Sequence, residues 1–268
     1  MELWATVLTP HSAMLPILII TERDSPRAAA AAARFDGLKA DWKASPAIFV
    51  TGPQPWSPHY DDKRRMRITG YPMTRGEVGC FLAHREAWRR VAEGADERVL
   101  ILEDDAVISE SDLPSITAIA ESEGSGAAVV LLFSITHLNF RRWRQVGNVS
   151  LVKPNHTTYS AVAYMISRQT AKRLLAASES FFFTVDEFFN MEYLHGLPLL
   201  HTYPFLAKHP KDVASVIGSR VKPRISNARR LLRNFHILAR RFRDGVCRLR
   251  TRFRMGLLFT PTERPERV

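Results

Sequence analysis

Cysteine is almost missing. The two in 268 residues, Cys80 and Cys247, form no CxxC pair and are too few for a disulfide framework. A reducing compartment is the simpler expectation. No run approaches the ~20 apolar residues that cross a bilayer as a helix. The apolar run at 13–20 is broken by Pro16, and no Lys or Arg precedes it, which is not the make-up of a secretory signal. These shortages point to a cytoplasmic protein. Internal repeats are lacking, and no low-complexity tract occurs before residue 220. Acidic residues are scarce in one region only. Residues 220–268 hold fifteen Lys/Arg against three Asp/Glu, a balance of +12, whereas 1–219 holds 23 against 24, a balance of −1. The expected division is a near-neutral body, 1–219, and an Arg-rich tail, 220–268.

What is present suits a globular α/β chain: 46% of residues are apolar and 24% charged. LPILIIT (15–21) has the length and β-branching of a buried strand. Ser25 can then cap a helix with Pro26 at its first position, and the alanines at 28–33 favour it. AIFVTG (47–52) reads as a second strand, and the proline-rich stretch 52–72 as a loop. Thr74 and Glu77 have capping-box spacing, predicting a helix to about Ala92. Val99, Leu100, Ile101 and Leu102 predict a central strand, and Ser111 and Asp112 can cap a helix to Glu123. Strands are expected at 127–133, 159–166 and 197–203, with helices over 168–177 and from Thr184 to about His195. Strands alternating with helices predict a largely parallel sheet.

The strand at 99–102 runs into Glu103, Asp104 and Asp105. In open α/β sheets, ligands bind beyond the carboxyl ends of strands. If extension continued, Glu103 and Asp105 would point one way and Asp104 the other. Two shielded carboxylates on one side repel unless a cation lies between them. A hard divalent ion, Mn²⁺ or Mg²⁺, would satisfy Asp105 and Glu103 and keep positions open for phosphate oxygens. The alternatives are acids that cap the next turn, pair with arginines, or stand in solvent.

GEVGCFLAHREAW (76–88), a short spacer and VLILEDDA (99–106) together resemble the signature of glycosyltransferase family 25. ITERDSPR (20–27) is similar to the family's opening strand. Residues 161–175 and Val185-Asp186 resemble later segments, so the likeness covers about 15–217. Ala83 stands where the family commonly has Ser. The resemblance implies a GT-A-like, Rossmann-like fold and a metal-dependent transfer of a hexose, commonly galactose, from a UDP-sugar. The expected acceptor is a sugar of a lipooligosaccharide or lipopolysaccharide core, a glycolipid.

On that reading, Thr21, Arg23, Arg27, Gly76, Glu77, His84, Glu103 and Asp104 are candidates for binding the donor. An arginine could grip diphosphate or stack on uracil; otherwise Arg23 and Arg27 form surface pairs with Asp24 or Glu22. Gly76 and Gly79 permit close backbone approach at a helix start, where anions are favoured. His84 is either a packing residue or a hydrogen-bonding group of the site. Cys80 reads as a small buried hydrophobe. Inverting transfer needs a base; Asp186 and Glu187 are the candidates, with helix capping as their alternative role. His209 could be a further metal ligand.

In the tail, Ile225, Ala228, Leu232, Phe235, Ala239, Phe242, Val246, Leu249 and Phe253 recur at spacings of three and four, one stripe of an amphipathic helix. The stripe could fold back on the body. A basic amphipathic helix also suits an anionic membrane surface, and the expectation is a peripheral protein on the inner face of the inner membrane. Charge alone would also attract nucleic acid, but no RNA-binding or helix-turn-helix pattern supports that. The rival to an enzyme is a non-catalytic basic module that binds nucleic acid or lipid on a degenerate transferase fold.

Overall fold

A computed structural model describes residues 15–52, 56–122, 127–210 and 226–264. The division between residues 219 and 220, and the stripe's first residue Ile225, lie outside the described residues. One mixed sheet of eight strands organises the chain. The strands are β1 (Ile17–Thr21), β2 (Trp42–Pro46), β3 (Arg98–Glu103), β4 (Val129–Leu131), β5 (Phe140–Val146), β6 (Val149–Pro154), β7 (Ala163–Ser167) and β8 (Leu199–Tyr203). Their spatial order is β2-β1-β3-β7-β4-β8-β6-β5. The pairs β1–β2, β1–β3 and β4–β8 are parallel. β7 is antiparallel to both β3 and β4, and β6 to both β8 and β5. Thus β2, β1, β3, β4, β8 and β5 point one way and β7 and β6 the other. The expectation of a largely parallel sheet is corrected at those two strands.

Alternation along the central strands builds two cores. Leu18, Ile20, Val99 and Ile101 face one layer, with Phe81, Ala87 and Trp88 of α3 (Arg75–Glu93) and Ala171 and Leu174 of α5 (Arg168–Ala177). Ile17, Ile19, Leu100 and Leu102 face the other, with Ala31 and Phe35 of α1 (Pro26–Gly37) and Ile116 and Ile119 of α4 (Leu113–Glu121). Ser25 caps α1 by accepting from Ala28 N, with Pro26 in its first turn. Thr74 and Glu77 close the capping box of α3.

Four segments differ from the sequence reading, one of them the hairpin of β5 and β6, for which no strands are expected. The second strand is 42–46, not 47–52. Ala47 N still donates to Thr21 O, and the chain then leaves the sheet to cross α3. A Cβ on Gly79 would sit 2.2 Å from Ile48 O, so only glycine permits that crossing. Ile48 and Val50 are apolar because they cover α3, not because they pair. Within 52–72 lies α2 (Asp62–Thr69), capped by Asp61 and stopped by Gly70 at φ 85°. The expected helix from Thr184 is two: α6 (Val185–Phe189) and α7 (Glu192–His195). Asn190 separates them. Its side chain accepts from Thr158 N and donates to Thr158 O, tying the break to the chain before β7.

A long helix, α8 (Asn227–Arg254), returns along α2 and α7. Beyond it Leu257 is buried, and Glu263 bridges the backbone of Phe140 on β5. Among the described residues no helix is long and apolar enough to cross a membrane.

Candidate active site

β3 lies between β1 and β7, and its carboxyl end delivers the three acids. Extension stops at Glu103. Ala106 N donates to Glu103 O at 3.0 Å and closes a turn. The alternation that would pair Glu103 with Asp105 therefore ends with the strand. Glu103 faces α3, where its Oε1 lies 3.3 Å from His84 Nε2. Asp104 and Asp105 share one cation instead. Arg27, in the first turn of α1, donates to Asp105 Oδ2 at 2.8 Å and pairs with Asp104 Oδ1 at 2.5 Å. Its partners are these acids rather than Asp24 or Glu22. Thr21, the last residue of β1, donates to Asp104 Oδ2 at 2.9 Å. Arg23 stands exposed on the loop between them.

His209 closes the fourth side. Leu206 N and Ala207 N both donate to Leu132 O, and Lys208 exchanges backbone hydrogen bonds with Val107. That stitching carries His209 Nε2 to 3.3 Å from Asp105 Oδ2. The Phe133 ring lies stacked on the imidazole, 6.4 Å between centroids.

Behind Glu103 runs a buried chain. His84 Nδ1 meets the Tyr164 hydroxyl at 2.8 Å, and the same hydroxyl accepts from Trp88 Nε1 at 2.9 Å. His84, Trp88 and Tyr164 are buried, so the network fixes the imidazole opposite Glu103.

Charge and burial act differently on the neighbouring acids. Burial works to raise Glu103, but the His84 hydrogen bond and charge, with His209 and Arg27, outweigh it and leave it below the usual carboxylate range. Burial wins at Asp104, which is raised despite Thr21 and Arg27. The Cys80 thiol is pushed well above its ordinary value by burial and then by the charges of Glu103, Asp186, Glu77 and Asp105.

The other candidates divide clearly. Gly76 lies in the first turn of α3, and Glu77 is the capping-box acid, its Oε2 accepting from Thr74 N at 2.7 Å. Asp186 accepts from the Thr184 hydroxyl at 2.5 Å and from Glu187 N at 3.0 Å. Glu187 faces away to two arginines: Oε2 is 3.1 Å from Arg65 on α2, and Oε1 is 3.7 Å from Arg240 on α8.

Glu103 and Asp105, the expected metal ligands, face different partners, and among the described residues they do not close into one group of three ligand atoms. Asp105 and His209, 3.3 Å apart, offer a carboxylate and an imidazole, donors that suit Mn²⁺. Asp105 Oδ1 is buried with no hydrogen-bond partner among the described residues, an open ligand atom of the kind a cation would take. Cys80, His84 and Glu103 place one ligand atom each within 4.8 Å of one another, but both His84 nitrogens already have partners. The open Asp105 oxygen suits a hard cation better.

Sequence reasoning missed the support around these acids. Nothing in the sequence marks Tyr164 and Trp88 as partners of His84, or ties Arg65 or Arg240 to Glu187. Phe133 ends an apolar run and gave no sign of stacking on His209.

The profile of glycosyltransferase family 25, described as an LPS biosynthesis protein, matches residues 16–189. The chain is also similar to a procollagen lysyl hydroxylase and glycosyltransferase of Acanthamoeba polyphaga mimivirus, 33% identical over 41% of this chain and 13% of that protein. A glycosyltransferase 25 family member of Aedes aegypti is 32% identical over 44% of this chain and 19% of its own. Human procollagen galactosyltransferase 2 is 27% identical over 46% and 20%. The matched segments span about a fifth or less of these relatives. With the matched profile spanning residues 16–189, both acidic stretches included, the chain belongs to glycosyltransferase family 25.

Proposed function

We propose that this transferase moves a hexose, galactose first among the candidates, from a UDP-sugar to a sugar of a lipooligosaccharide or lipopolysaccharide core. The family's association with LPS biosynthesis supports the glycolipid acceptor, and the galactosyltransferase relatives support the sugar. One observation carries the reading: three acids at a strand end, held by Thr21, Arg27, His84 and His209, leave Asp105 Oδ1 buried with no hydrogen-bond partner among the described residues. The mixed sheet with its site at the end of β3 is compatible with a GT-A-like arrangement.

In the reaction the acceptor oxygen bonds to the anomeric carbon as the bond from that carbon to the diphosphate breaks. Asp105, with His209 beside it, would hold Mn²⁺, which would neutralise charge on the departing diphosphate. Arg27 adds a fixed cation at the same rim, and it reorganises little because Asp104 and Asp105 already orient it. Thr21 and Asp104 offer a hydroxyl and a carboxylate to the nucleoside. Asp186 takes the acceptor proton as general base, which gives inversion. Thr184 and Glu187 N orient its Oδ1. Glu187 positions the start of α6 and is not the base in this scheme.

The test is a screen of radiolabelled UDP-hexoses with and without Mn²⁺, using the purified full chain. Metal-stimulated turnover of one hexose, lost in Asp105→Asn with the fold retained, supports the reading. Asp186→Asn should bind donor but not transfer it. Full turnover in Asp105→Asn, or metal-independent turnover in the unsubstituted protein, removes the metal role.

A further inference from the structure

α8 packs on the body with the face that an ordinary amphipathic helix shows to water. Arg240 lies 3.7 Å from Glu187 and 3.6 Å from Asp244, which is itself buried. The Thr251 hydroxyl donates to Glu192 at 2.9 Å, and Arg243 lies over the Tyr193 ring. The opposite face is left in solvent. Leu231 is 74% exposed, Phe235 65%, Leu238 66%, Phe242 72%, Leu249 56% and Phe253 71%. At 3.6 residues per turn these six fall within an arc of roughly 60°. Exposed Arg230, Arg241, Arg250 and Arg254 stand on its two flanks. Scattered exposed apolar residues are ordinary, but a continuous stripe of this kind marks an interaction surface.

We propose that α8 docks in the plane of an anionic lipid bilayer, its phenylalanines and leucines between the headgroups and its flanking arginines on their phosphates. The charge pattern selects this occupant. An apolar centre with cations on both edges is the section of an interfacial helix, and anionic leaflets attract such cations. A second copy of the chain would bring two rows of arginines together. Nucleic acid would leave the phenylalanine stripe without a partner. A neighbouring feature points the same way: Lys63, Met66, Arg67 and Gly70 of the α2 region and Leu232 of α8 line a cavity of about 230 Å³. Two cations at the edge of the stripe fit a lipid phosphate.

The docked face is opposite the one held to the catalytic body. Arg65 from α2 and Arg240 from α8 both contact Glu187, next to Asp186. Docking would therefore set the acceptor side of the site close to the membrane. The docking inference itself rests on this surface and not on the transferase reading.

The experiment is flotation of the full chain with vesicles of phosphatidylglycerol and phosphatidylethanolamine, against vesicles of phosphatidylcholine alone. The protein should float with the anionic vesicles only. A triple variant, Phe235→Ser, Phe242→Ser and Phe253→Ser, should lose binding at least tenfold with an unchanged melting temperature, because these side chains lie in solvent. Arg241→Glu with Arg250→Glu should lose anionic binding by a similar factor. Failure of the unsubstituted protein to float, or equal flotation of the triple variant, overturns the proposal. So does a dimer in light scattering that the triple variant dissolves while vesicle binding stays, or salt-sensitive DNA binding without vesicle binding.

Discussion

At Glu192 every carboxylate oxygen has a partner. Oε1 takes the Lys153 ammonium and Leu199 N, and Oε2 takes the Thr251 hydroxyl. Lys153 in turn donates to Leu199 O at 3.1 Å, and both charged side chains are buried. At Asp105 the count does not close. Oδ2 meets Arg27 and His209, while Oδ1 is buried with no hydrogen-bond partner among the described residues. The acid with no open valence holds α7, β6, β8 and α8 together. The acid with one lies at the rim of the sheet, where open α/β proteins bind ligands. Satisfaction, more than charge, separates the structural carboxylate from the one proposed to act.

Substitution at each acid tests that contrast. Asp105→Asn should lower kcat/KM at least ~10³-fold, about 4 kcal/mol of transition-state stabilisation, with little change in urea midpoint. Glu192→Ala should do the reverse. It leaves the Lys153 ammonium buried and unpaired, which costs about 3 kcal/mol of stability in urea unfolding, while turnover per folded molecule survives. If Asp105→Asn unfolds the protein or Glu192→Ala abolishes turnover in the folded fraction, the contrast fails.

The same contrast explains what the sequence could tell. β1, β3, β4 and β8 are short apolar runs, legible because both faces are buried. The ends of α1, α3 and α6 were legible because Ser25, Thr74 and Thr184 mark caps locally. β2 was not, because an edge strand with Lys43 and Ser45 carries no apolar signal. α2 was hidden by Lys63, Arg64, Arg65 and Arg67, although Asp61 and Gly70 bracketed it. The hairpin of β5 and β6 was also missed, despite the Gly147-Asn148 turn between two candidate strands. At the site, Glu103, Asp104 and Asp105 stand out as a triplet, but their directions do not. Those depend on the strand ending at Glu103 and on Arg27 reaching across 78 residues of sequence.

Acid should weaken the core before it reaches the carboxylates. His195 is held down to about 4 and His201 to about 3, both chiefly by burial. Each is neutral when folded and takes a proton more readily when unfolded, near pH 6.5. Their contribution is therefore complete above about pH 7 and falls as pH drops from 6.5 towards 4 and then 3. The slope is at most about 1.4 kcal/mol per pH unit for each histidine. Melting temperature should be flat above pH 7 and decline below 6.5, and His201→Gln should flatten the decline. An unchanged slope in that variant would assign the acid sensitivity elsewhere.

The smallest expected effect sharpens the difference between neighbours. Glu187 resembles Glu192 more than Asp105, since Arg65 holds one oxygen and Arg240 the other. Glu187→Gln keeps a hydrogen-bond acceptor for Arg65 and removes only the charge assistance, so it should cost about 1 kcal/mol in stability. Because Arg65 is buried, its loss of a counter-charge is felt by α2 and α6 together. Transfer should fall far less than in Asp186→Asn, since the oriented carboxylate beside it is intact. A pH–rate profile separates the two roles. Glu187→Gln should keep the acidic limb of the profile, which belongs to the base, whereas loss of that limb would move the base from Asp186 to Glu187 and make the arginine-bound acid the working one.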